Sequence, residues 1–237
     1  MNIALRIISR NIPTPDELHI PFSVRQFIQK EHGLILICGP TGSGKSTTIA
    51  SLINGVNQDT AARIITIEDP VEYYFPVGKS VVTQREIGRN CISFSQGLKA
   101  ALRQDPDIIM VGELRDAETI STALAAAETG HLVFSTLHTG NVGEAIDRLV
   151  QYFPAEQQLQ IRNQVATALV GVVTQKLLPC TKGGRIAAFE ILINTPSIAN
   201  LIRKNEIFQF QNYMYPDTGM QTMQEAEALL VKKHLIH

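Results

Sequence analysis

The chain has 237 residues, of which 44% are hydrophobic, and its 21 basic and 22 acidic side chains leave a net charge of −1. This composition allows one well-buried core or two small ones, and it gives no electrostatic footprint for nucleic acid or for an anionic membrane surface. No apolar stretch is long enough for a spanning helix, and the N-terminus does not resemble a secretory signal. Three separated cysteines outline neither a zinc site nor a disulfide frame, so we expect reduced thiols in a cytosolic protein.

The predicted elements begin after a proline-rich stretch. Residues 10–21, RNIPTPDELHIP, are typical of an extended connector, so we predict a connector stub over 1–32 and a single domain over 33–237. Short apolar runs then predict strands, and longer segments between them predict helices. In chain order these are strand 34–38, helix 45–56, strand 63–67, helix 94–104, strand 107–111, helix 116–130, strand 131–136, and helices 142–153 and 154–170.

This alternation predicts an α/β fold, with a doubly wound, mostly parallel central sheet flanked by helices. Asp116 is a plausible N-cap for helix 116–130, and Gly130 follows its end. Beyond residue 170 the runs 172–178 and 185–193 predict two further strands that suit a hairpin. The C-terminal part is predicted to be helical.

The strongest motif is GPTGSGKS, residues 39–46, which fits the phosphate-loop pattern G-x-x-x-x-G-K-[ST] between a strand and a helix. Glycines let backbone N–H groups approach phosphate oxygens, and the helix start adds the positive end of its dipole. Lys45 is predicted to contact the β and γ oxygens, and Ser46 to offer its hydroxyl to Mg²⁺. The predicted ATP-binding residues are Gly39, Pro40, Thr41, Gly42, Ser43, Gly44, Lys45, Ser46 and Thr47.

Carboxylates and a histidine follow the carboxyl ends of the predicted strands, where ligands bind in open parallel sheets. Glu68, Asp69 and Glu72 follow one strand, Glu113 follows the next, and His138 follows the one after. These strand ends therefore converge on the phosphate loop. Because these acids face the phosphate loop, we do not expect them to form a turn that only contacts solvent. Asp69 precedes a proline, however, and suits a turn-shaping role. The candidate base is thus Glu72 or Glu68, and Glu72 can reach back over the γ-phosphate.

The segment IIMVGE occupies the position of a Walker B strand, but Gly112 stands where an aspartate is usual. We predict that Glu113 belongs to the Mg²⁺ shell, either directly or through water. The alternative is that Glu113 only begins the following helix, beside Arg115 and Asp116.

Two histidines, His131 and His138, lie near the two ends of the predicted strand 131–136, and we predict that His138 is the one that senses the γ-phosphate. In an extended strand His131 lies roughly 20 Å from His138, at ~3.3 Å per residue, so both cannot contact one nucleotide in the same subunit. For His131, the alternative to a role at the nucleotide is that of a histidine packed inside the domain or at an interface between subunits.

Four segments together resemble the motifs of one family. GPTGSGKST, TIEDPVE, ALRQDPDIIMVGELRD and ALAAAETGHLVFSTLHT are similar, in this order, to the Walker A, Asp, Walker B and His boxes of the secretion ATPase superfamily of type II secretion and type IV pili. Within it, residues 3–235 resemble the type IV pilus retraction (twitching motility) ATPases. The segments 197–204, SIANLIRK, and 219–222, GMQT, resemble C-terminal segments of that branch, although Ala199 and Lys204 depart from the usual form. The tetracysteine zinc insertion of secretion and extension relatives is absent from the sequence.

The resemblance implies a RecA-like P-loop ATPase domain that uses ATP and Mg²⁺. It implies Glu72 as general base, with Glu68 as its rival, Glu113 and Ser46 as Mg²⁺ residues, and His138 at the γ-phosphate. In the family a hexameric ring works on an inner-membrane platform protein. We therefore expect self-association, that partner, and a cytoplasmic location with peripheral membrane association, but no nucleic acid.

Family members begin with a PAS-like N-terminal domain, and the chain starts near the end of that domain. The resemblance implies that residues 1–32 are a stub of it, in a fragment or in a natural short form. The family's arginine fingers come largely from that region, and such a finger is worth on the order of 10³–10⁵ in rate. We therefore expect the chain to bind ATP but to hydrolyse it poorly alone.

Three alternative functions remain open at this stage. A pilus-extension or type II secretion ATPase would share the same boxes. An ATP-binding regulatory module with little turnover would be distinguished by measuring ATP affinity and kcat separately. A RecA-like DNA motor would show DNA-stimulated activity and a basic groove, and the net charge of −1 argues against it.

Overall fold

The computed structural model describes residues 11–237, and its centre is a seven-stranded sheet. The strands are β1 (Gly33–Cys38), β2 (Arg63–Glu68), β3 (Val81–Glu86), β4 (Ile108–Val111), β5 (Leu132–Leu137), β6 (Leu169–Pro179) and β7 (Arg185–Ile193). The helices are α1 (Phe22–Arg25), α2 (Lys45–Asp59), α3 (Phe94–Ala101), α4 (Ala117–Glu128), α5 (Val142–Gln151), α6 (Ala155–Ala168), α7 (Pro196–Lys204) and α8 (Met223–Lys232). Short 3-10 helices span Gln26–Gln29, Ile207–Tyr213 and Pro216–Thr218.

The strands lie in the order β3-β2-β4-β5-β1-β6-β7, and every neighbouring pair is parallel except β6 and β7. Strand β1 is central and buried along its whole length, because helices cover both faces of the sheet. Helices α3 to α7 pack on one face, and α1 and α2 pack on the other. The predicted mostly parallel α/β fold is therefore confirmed. No helix among the described residues is long and apolar enough to cross a membrane.

The predicted strands and helices are present, with small differences at their ends. The Asp116 side chain accepts a hydrogen bond from the Thr119 N–H at 2.7 Å, as expected of an N-cap. Strands β6 and β7 form the expected antiparallel hairpin. Helix α3 ends at Ala101 rather than at residue 104, because residues 102–104 form a turn before β4.

Strand β3 is an element that sequence analysis did not predict. It pairs in parallel with β2 at the edge of the sheet, and its sequence VVTQRE contains one short apolar run followed by polar and charged residues. Central parallel strands are recognised by continuous apolar runs, whereas an edge strand can carry charged residues. The side chains of Gln84 and Glu86 on this strand accept from or donate to the backbone of the loop that follows β2.

The described part of the predicted connector, residues 11–32, packs on the domain. Ile20, Val24 and Phe27 are at most 2% exposed and belong to the apolar cluster that includes α2. A Cβ on Gly171 of β6 would lie 2.6 Å from the Phe27 ring, so the ring lies directly on the strand. Residues 1–10 of the predicted stub lie outside the described residues, and the division at residue 33 stays a prediction.

Candidate active site

The phosphate loop joins β1 to α2, and its backbone depends on glycine. Gly39, Gly42 and Gly44 have φ values of 141°, 77° and 90°, which residues other than glycine rarely adopt. A Cβ on Gly39 would lie 2.3 Å from the carbonyl oxygen of Gln175 on β6. Helix α2 begins at Lys45, and the unpaired N–H groups of its first turn favour a bound phosphate.

The Lys45 ammonium group lies inside the phosphate loop. Its side chain is buried, and Nζ donates to the carbonyl oxygens of Gly39 at 2.9 Å and Pro40 at 3.1 Å. Nζ also lies 3.4 Å from Nδ1 of His138. Burial lowers the pKa of Lys45, and the Glu113 carboxylate opposes this shift. The cation is therefore held among carbonyl oxygens that phosphate oxygens can replace.

Glu68 is a buried carboxylate, 7% exposed, whose oxygens are occupied by neighbours. Oε1 accepts from Thr66 Oγ1 at 2.6 Å and from Gln84 Nε2 at 3.3 Å, and Oε2 accepts from the Glu72 N–H at 3.4 Å. Burial raises the pKa of Glu68, and these hydrogen bonds oppose the shift. This arrangement favours a positioning role for Glu68 and leaves Glu72 as the candidate base.

The acidic loop, residues 69–73, is fixed on two sides. The Tyr73 hydroxyl lies 2.9 Å from Oγ1 of Thr47 on α2, and the Tyr73 carbonyl accepts from Gln84 Nε2 at 2.7 Å. On the β3 side, the Val71 N–H donates to the Glu86 carboxylate at 3.2 Å. The loop that carries Glu72 is thus bonded both to the phosphate-loop helix and to the edge strand.

Glu113 lies beyond β4, where glycine lets two backbones approach closely. The Gly112 N–H donates to the Ile67 carbonyl at 2.8 Å, and a Cβ on Gly112 would lie 3.2 Å from the same oxygen. This close approach favours glycine where a Walker B aspartate is usual. The Glu113 carboxylate pairs with Arg115 at 2.5 Å and lies 3.8 Å from Nε2 of His138.

His138 lies between a cation and a carboxylate. Its Nδ1 faces Lys45 and its Nε2 faces Glu113. Burial lowers the pKa of His138, the Lys45 charge lowers it further, and Glu113 opposes both effects. We therefore expect a neutral imidazole at neutral pH, which can donate one hydrogen bond and accept another.

A single cavity of about 720 Å³ brings most of the predicted residues together. Its lining includes Thr41, Gly42, Gly44, Lys45, Ser46, Thr47, Glu68, Asp69, Glu72, Glu113 and His138. Gly39, Pro40 and Ser43 are predicted residues that do not line the cavity. The carbonyl oxygens of Gly39 and Pro40 accept from Lys45, and Ser43 is buried, with its carbonyl accepting from Gln175 Nε2 at 2.6 Å. The turn predicted at Asp69 contains a cis peptide bond to Pro70.

Several residues in the wall of the main cavity were not predicted from the sequence. Tyr73, Phe94, Leu177 and Arg185 also line the main cavity. An adjoining cavity of about 350 Å³ shares Gly44, Thr47, Leu177 and Arg185 with it and is otherwise lined by residues that include Leu18, His19, Ala187 and Phe189. The signal for Arg185 was its position at the start of a predicted strand, but the sequence does not say that this strand lies near the phosphate loop.

The two histidines of the His box lie at opposite ends of β5. His131 precedes the strand, and its Nδ1 lies 3.1 Å from the carbonyl oxygen of Ala126 near the end of α4. His138 follows the strand and lines the main cavity. The structure therefore separates them as the extended spacing predicts, and in this subunit His131 packs against α4.

A glycine-rich loop between a buried strand and a helix, with acids beyond the neighbouring strands of a parallel sheet, defines a RecA-like P-loop ATPase domain. Residues 20–197 match the family model described as type II/IV secretion system protein, and the chain belongs to this family.

Proteins similar to this chain agree with this assignment. The chain is 45% identical to the type IV pilus retractation ATPase PilT of Pseudomonas aeruginosa, over 98% of its own length and 68% of that protein. It is 44% identical to the twitching motility protein of Neisseria gonorrhoeae, over 98% of its length and 63% of that protein. A crystal structure of the pilus retraction motor PilT with bound ADP matches with a TM-score of 0.92 and 50% identity, over 98% of this chain and 66% of that one.

The chain therefore spans about two thirds of the length of these relatives. Their similarity confirms the predicted family, the RecA-like fold and the resemblance to retraction ATPases. The roles of the individual site residues stay predictions.

Proposed function

We propose that this chain is the ATP-hydrolysing motor domain of a type IV pilus retraction (twitching motility) ATPase. The observation that carries the proposal is the single cavity in which the phosphate loop, Glu72, Glu113 and His138 meet. Phosphoryl transfer needs mainly positioning and neutralisation of charge. These residues bring a cation, two carboxylates and a neutral imidazole together at one place. The retraction function is supported by the relatives that carry that name.

The phosphates would bind at the loop and the start of α2. Lys45 would exchange the carbonyl oxygens of Gly39 and Pro40 for β and γ oxygens. The adjoining cavity suits the base and sugar, because it shares Gly44 and Thr47 with the phosphate cavity and has apolar walls that include Leu18 and Phe189. Arg185 lines both cavities, so it lies where the sugar and the phosphates would join.

Ser46 and Glu113 are the residues that would hold Mg²⁺. Both offer oxygen atoms to the same cavity, and Mg²⁺ in ATPases is bound through one or two protein oxygens, substrate phosphates and several waters. Residues 11–237 contain no group of three or more His, Cys, Asp and Glu side chains that could hold a metal ion. When bound, Mg²⁺ neutralises charge on the β and γ oxygens.

Glu72 would accept a proton from the water that attacks the γ-phosphate. Its loop is held by Glu68 and Tyr73, so the carboxylate does not have to be ordered during the reaction. His138, between Lys45 and Glu113, would donate to the γ-phosphate as a neutral imidazole. The products are ADP and inorganic phosphate.

We also propose the finer features that the family resemblance implies. These are assembly with further copies into a hexameric ring, action on an inner-membrane platform protein, and a cytoplasmic location at the membrane periphery. The name of the related retraction motor supports a place in the pilus machinery, and the choice of partner rests on the resemblance alone.

The test of the cellular role is deletion of the gene in a piliated strain, followed by counting surface pili and recording their retraction. We expect pili to accumulate without retracting, and complementation with a Glu72→Gln variant to leave them unretracted. Disappearance of pili would instead favour an extension ATPase, and a block in protein secretion would favour a type II secretion ATPase. Normal retraction, together with ATP binding by the purified chain, would favour a regulatory module.

A further inference from the structure

Glu190 is a buried carboxylate that the proposed mechanism does not use. It lies within β7 and is 5% exposed, and burial raises its pKa. Its Oε2 accepts a hydrogen bond at 3.0 Å from the N–H of Val142, the first residue of α5. Burying a carboxyl group costs free energy unless it is well bonded, so its place at this helix start needs an explanation.

The Val142 N–H that Glu190 binds lies at the C-terminal end of the segment 138–142, which begins at His138. Within this segment the Gly140 N–H donates to the Glu144 carboxylate at 2.7 Å, and the Asn141 side chain accepts from the Glu144 N–H at 2.8 Å. Both of these bonds are local to α5. The Glu190 bond differs because it joins the segment to a strand of the sheet 48 residues further along the chain.

Glu190 also completes a row of side chains across the sheet at the phosphate-loop end. Cys38, the last residue of β1, pairs with Thr174 on β6, and Thr174 pairs with Glu190 on β7. Paired residues project from the same face, so the three side chains are neighbours. The Thr174 hydroxyl, next to Glu190, is buried without a hydrogen-bond partner. Glu190 therefore bonds the start of α5 rather than its neighbour on β6.

The backbone on either side of Glu190 is held by Gln221, which belongs to the segment 219–222. Ile191 and Gln221 exchange backbone hydrogen bonds of 2.8 and 3.1 Å, and the Gln221 side-chain amide donates to the Phe189 carbonyl at 2.7 Å. The C-terminal segment thus fixes the strand from which Glu190 projects.

We propose that Glu190 is a positioning residue for recognition of the γ-phosphate, which ties the segment from His138 to α5 onto β7, with Gln221 holding β7 in place. This inference rests on the proposed assignment of His138 to the γ-phosphate. A segment held in this way presents the imidazole to the third phosphate. Without the tie, the phosphate loop still binds the diphosphate, but the additional affinity for the triphosphate is lost.

The experiment compares the affinities of the 237-residue chain for Mg-ADP and for a Mg-ATP analogue with a non-hydrolysable β,γ bridge. Glu190→Met keeps the side-chain length but removes the acceptor. We expect it to change ADP affinity by less than about twofold and to reduce the preference for the triphosphate by about tenfold, as loss of one charge-assisted hydrogen bond would. Glu190→Gln keeps an oxygen acceptor and should restore most of the preference.

Asn194→Ala is the matched control. The Asn194 amide, just past the far end of β7, donates to the carbonyls of Ala166 and Leu169 at 3.0 and 2.8 Å, so its loss should lower Tm without changing the triphosphate preference. Gln221→Ala should reduce the preference less than Glu190→Met does, and it should add little to that variant.

The outcomes separate this inference from the proposed function. An unchanged preference in Glu190→Met, an equal loss in Asn194→Ala, or failure of Glu190→Gln to restore it would overturn the positioning role. Nucleotide binding by the wild-type chain with no preference for the triphosphate would overturn it too, while leaving nucleotide binding intact. Absence of any nucleotide binding would overturn both.

Discussion

At the residue scale, the two candidate bases differ in how their oxygens are used. Glu68 is buried and bonded to three neighbours, whereas Glu72 lies in the loop that those bonds hold. We expect Glu72→Gln to lower turnover by about 10² or more, since a general base contributes on that order, and to leave ATP affinity nearly unchanged. Glu68→Gln should lower turnover by about tenfold, through a displaced loop. Single-turnover hydrolysis and nucleotide titration measure both, and the reverse order of effects would show that Glu68 is the base.

Glu68 also predicts a pH dependence of stability. Burial raises the pKa of Glu68 in the folded chain, so the folded state binds a proton more tightly than the unfolded state does. The stability from this group is present below the ordinary Glu pKa of about 4.3 and is lost as pH rises through the raised pKa. Glu68→Gln lacks this loss. Its free energy of unfolding, relative to wild type, should therefore increase in denaturant titrations as the pH rises above the ordinary Glu pKa of about 4.3. Parallel curves for the two proteins would contradict the raised pKa.

Two glycines of the phosphate loop provide a matched pair of substitutions. A Cβ on Gly39 would lie 2.3 Å from the Gln175 carbonyl, whereas one on Gly42 would meet nothing within 4 Å. We expect Gly39→Ala to cost at least about 3 kcal/mol of stability and to abolish nucleotide binding. Gly42→Ala should cost only about 1 kcal/mol, from its positive φ, and should still bind ADP. Thermal unfolding and ADP titration test this, and similar behaviour of the two variants would mean that the loop tolerates a shift at β6.

At the element scale, β3 determines where the acidic loop lies. Gln84 donates to the Tyr73 carbonyl and to Glu68, and its own side-chain oxygen accepts from the Phe75 N–H at 3.2 Å. We expect Gln84→Ala to lower kcat about five- to tenfold and to change KM little, because neutral hydrogen bonds contribute about 1 kcal/mol each and these act on the base rather than on nucleotide binding.

Gln104→Ala is the control for β3. Gln104 accepts from Arg85, the neighbour of Gln84 on the same strand, whose side chain projects from the opposite face. Its loss should leave both kinetic constants close to the wild-type values. If Gln84→Ala raises KM with kcat unchanged, β3 supports nucleotide binding and not the position of Glu72.

The same elements show what the sequence can predict. Apolar runs identify β1, β2, β4 and β5, since strands covered on both faces are mostly apolar along their length. The phosphate loop and the strand-end acids follow from motif and topology. The polar edge strand β3 has no such pattern. The bonds of Gln175 and Glu190 join segments 132 and 48 residues apart in the chain. They depend on the order of the strands, which periodicity does not encode.

At the scale of the whole molecule, the structure explains why nucleotide binding and turnover need not go together. The cavity contains the phosphate loop, both candidate bases and His138 within one subunit. Among residues 11–237, the Arg115 guanidinium pairs with Glu113, and Arg185 reaches the cavity from the side shared with the adjoining cavity. We therefore expect a further cation for the transition state to come from another copy, as the proposed ring would allow.

This arrangement predicts that the purified chain binds ATP but turns it over slowly, well below the roughly 10 s⁻¹ that is typical of enzymes. Because assembly brings in the cation, the rate per subunit should rise with protein concentration, whereas ATP affinity should not. Initial rates across a wide concentration range, with light scattering to follow assembly, measure both. Glu72→Gln at the same concentrations controls for contaminating ATPase. Fast turnover that is independent of concentration would show that one subunit holds a complete site, and the ring would then be needed for force rather than for chemistry.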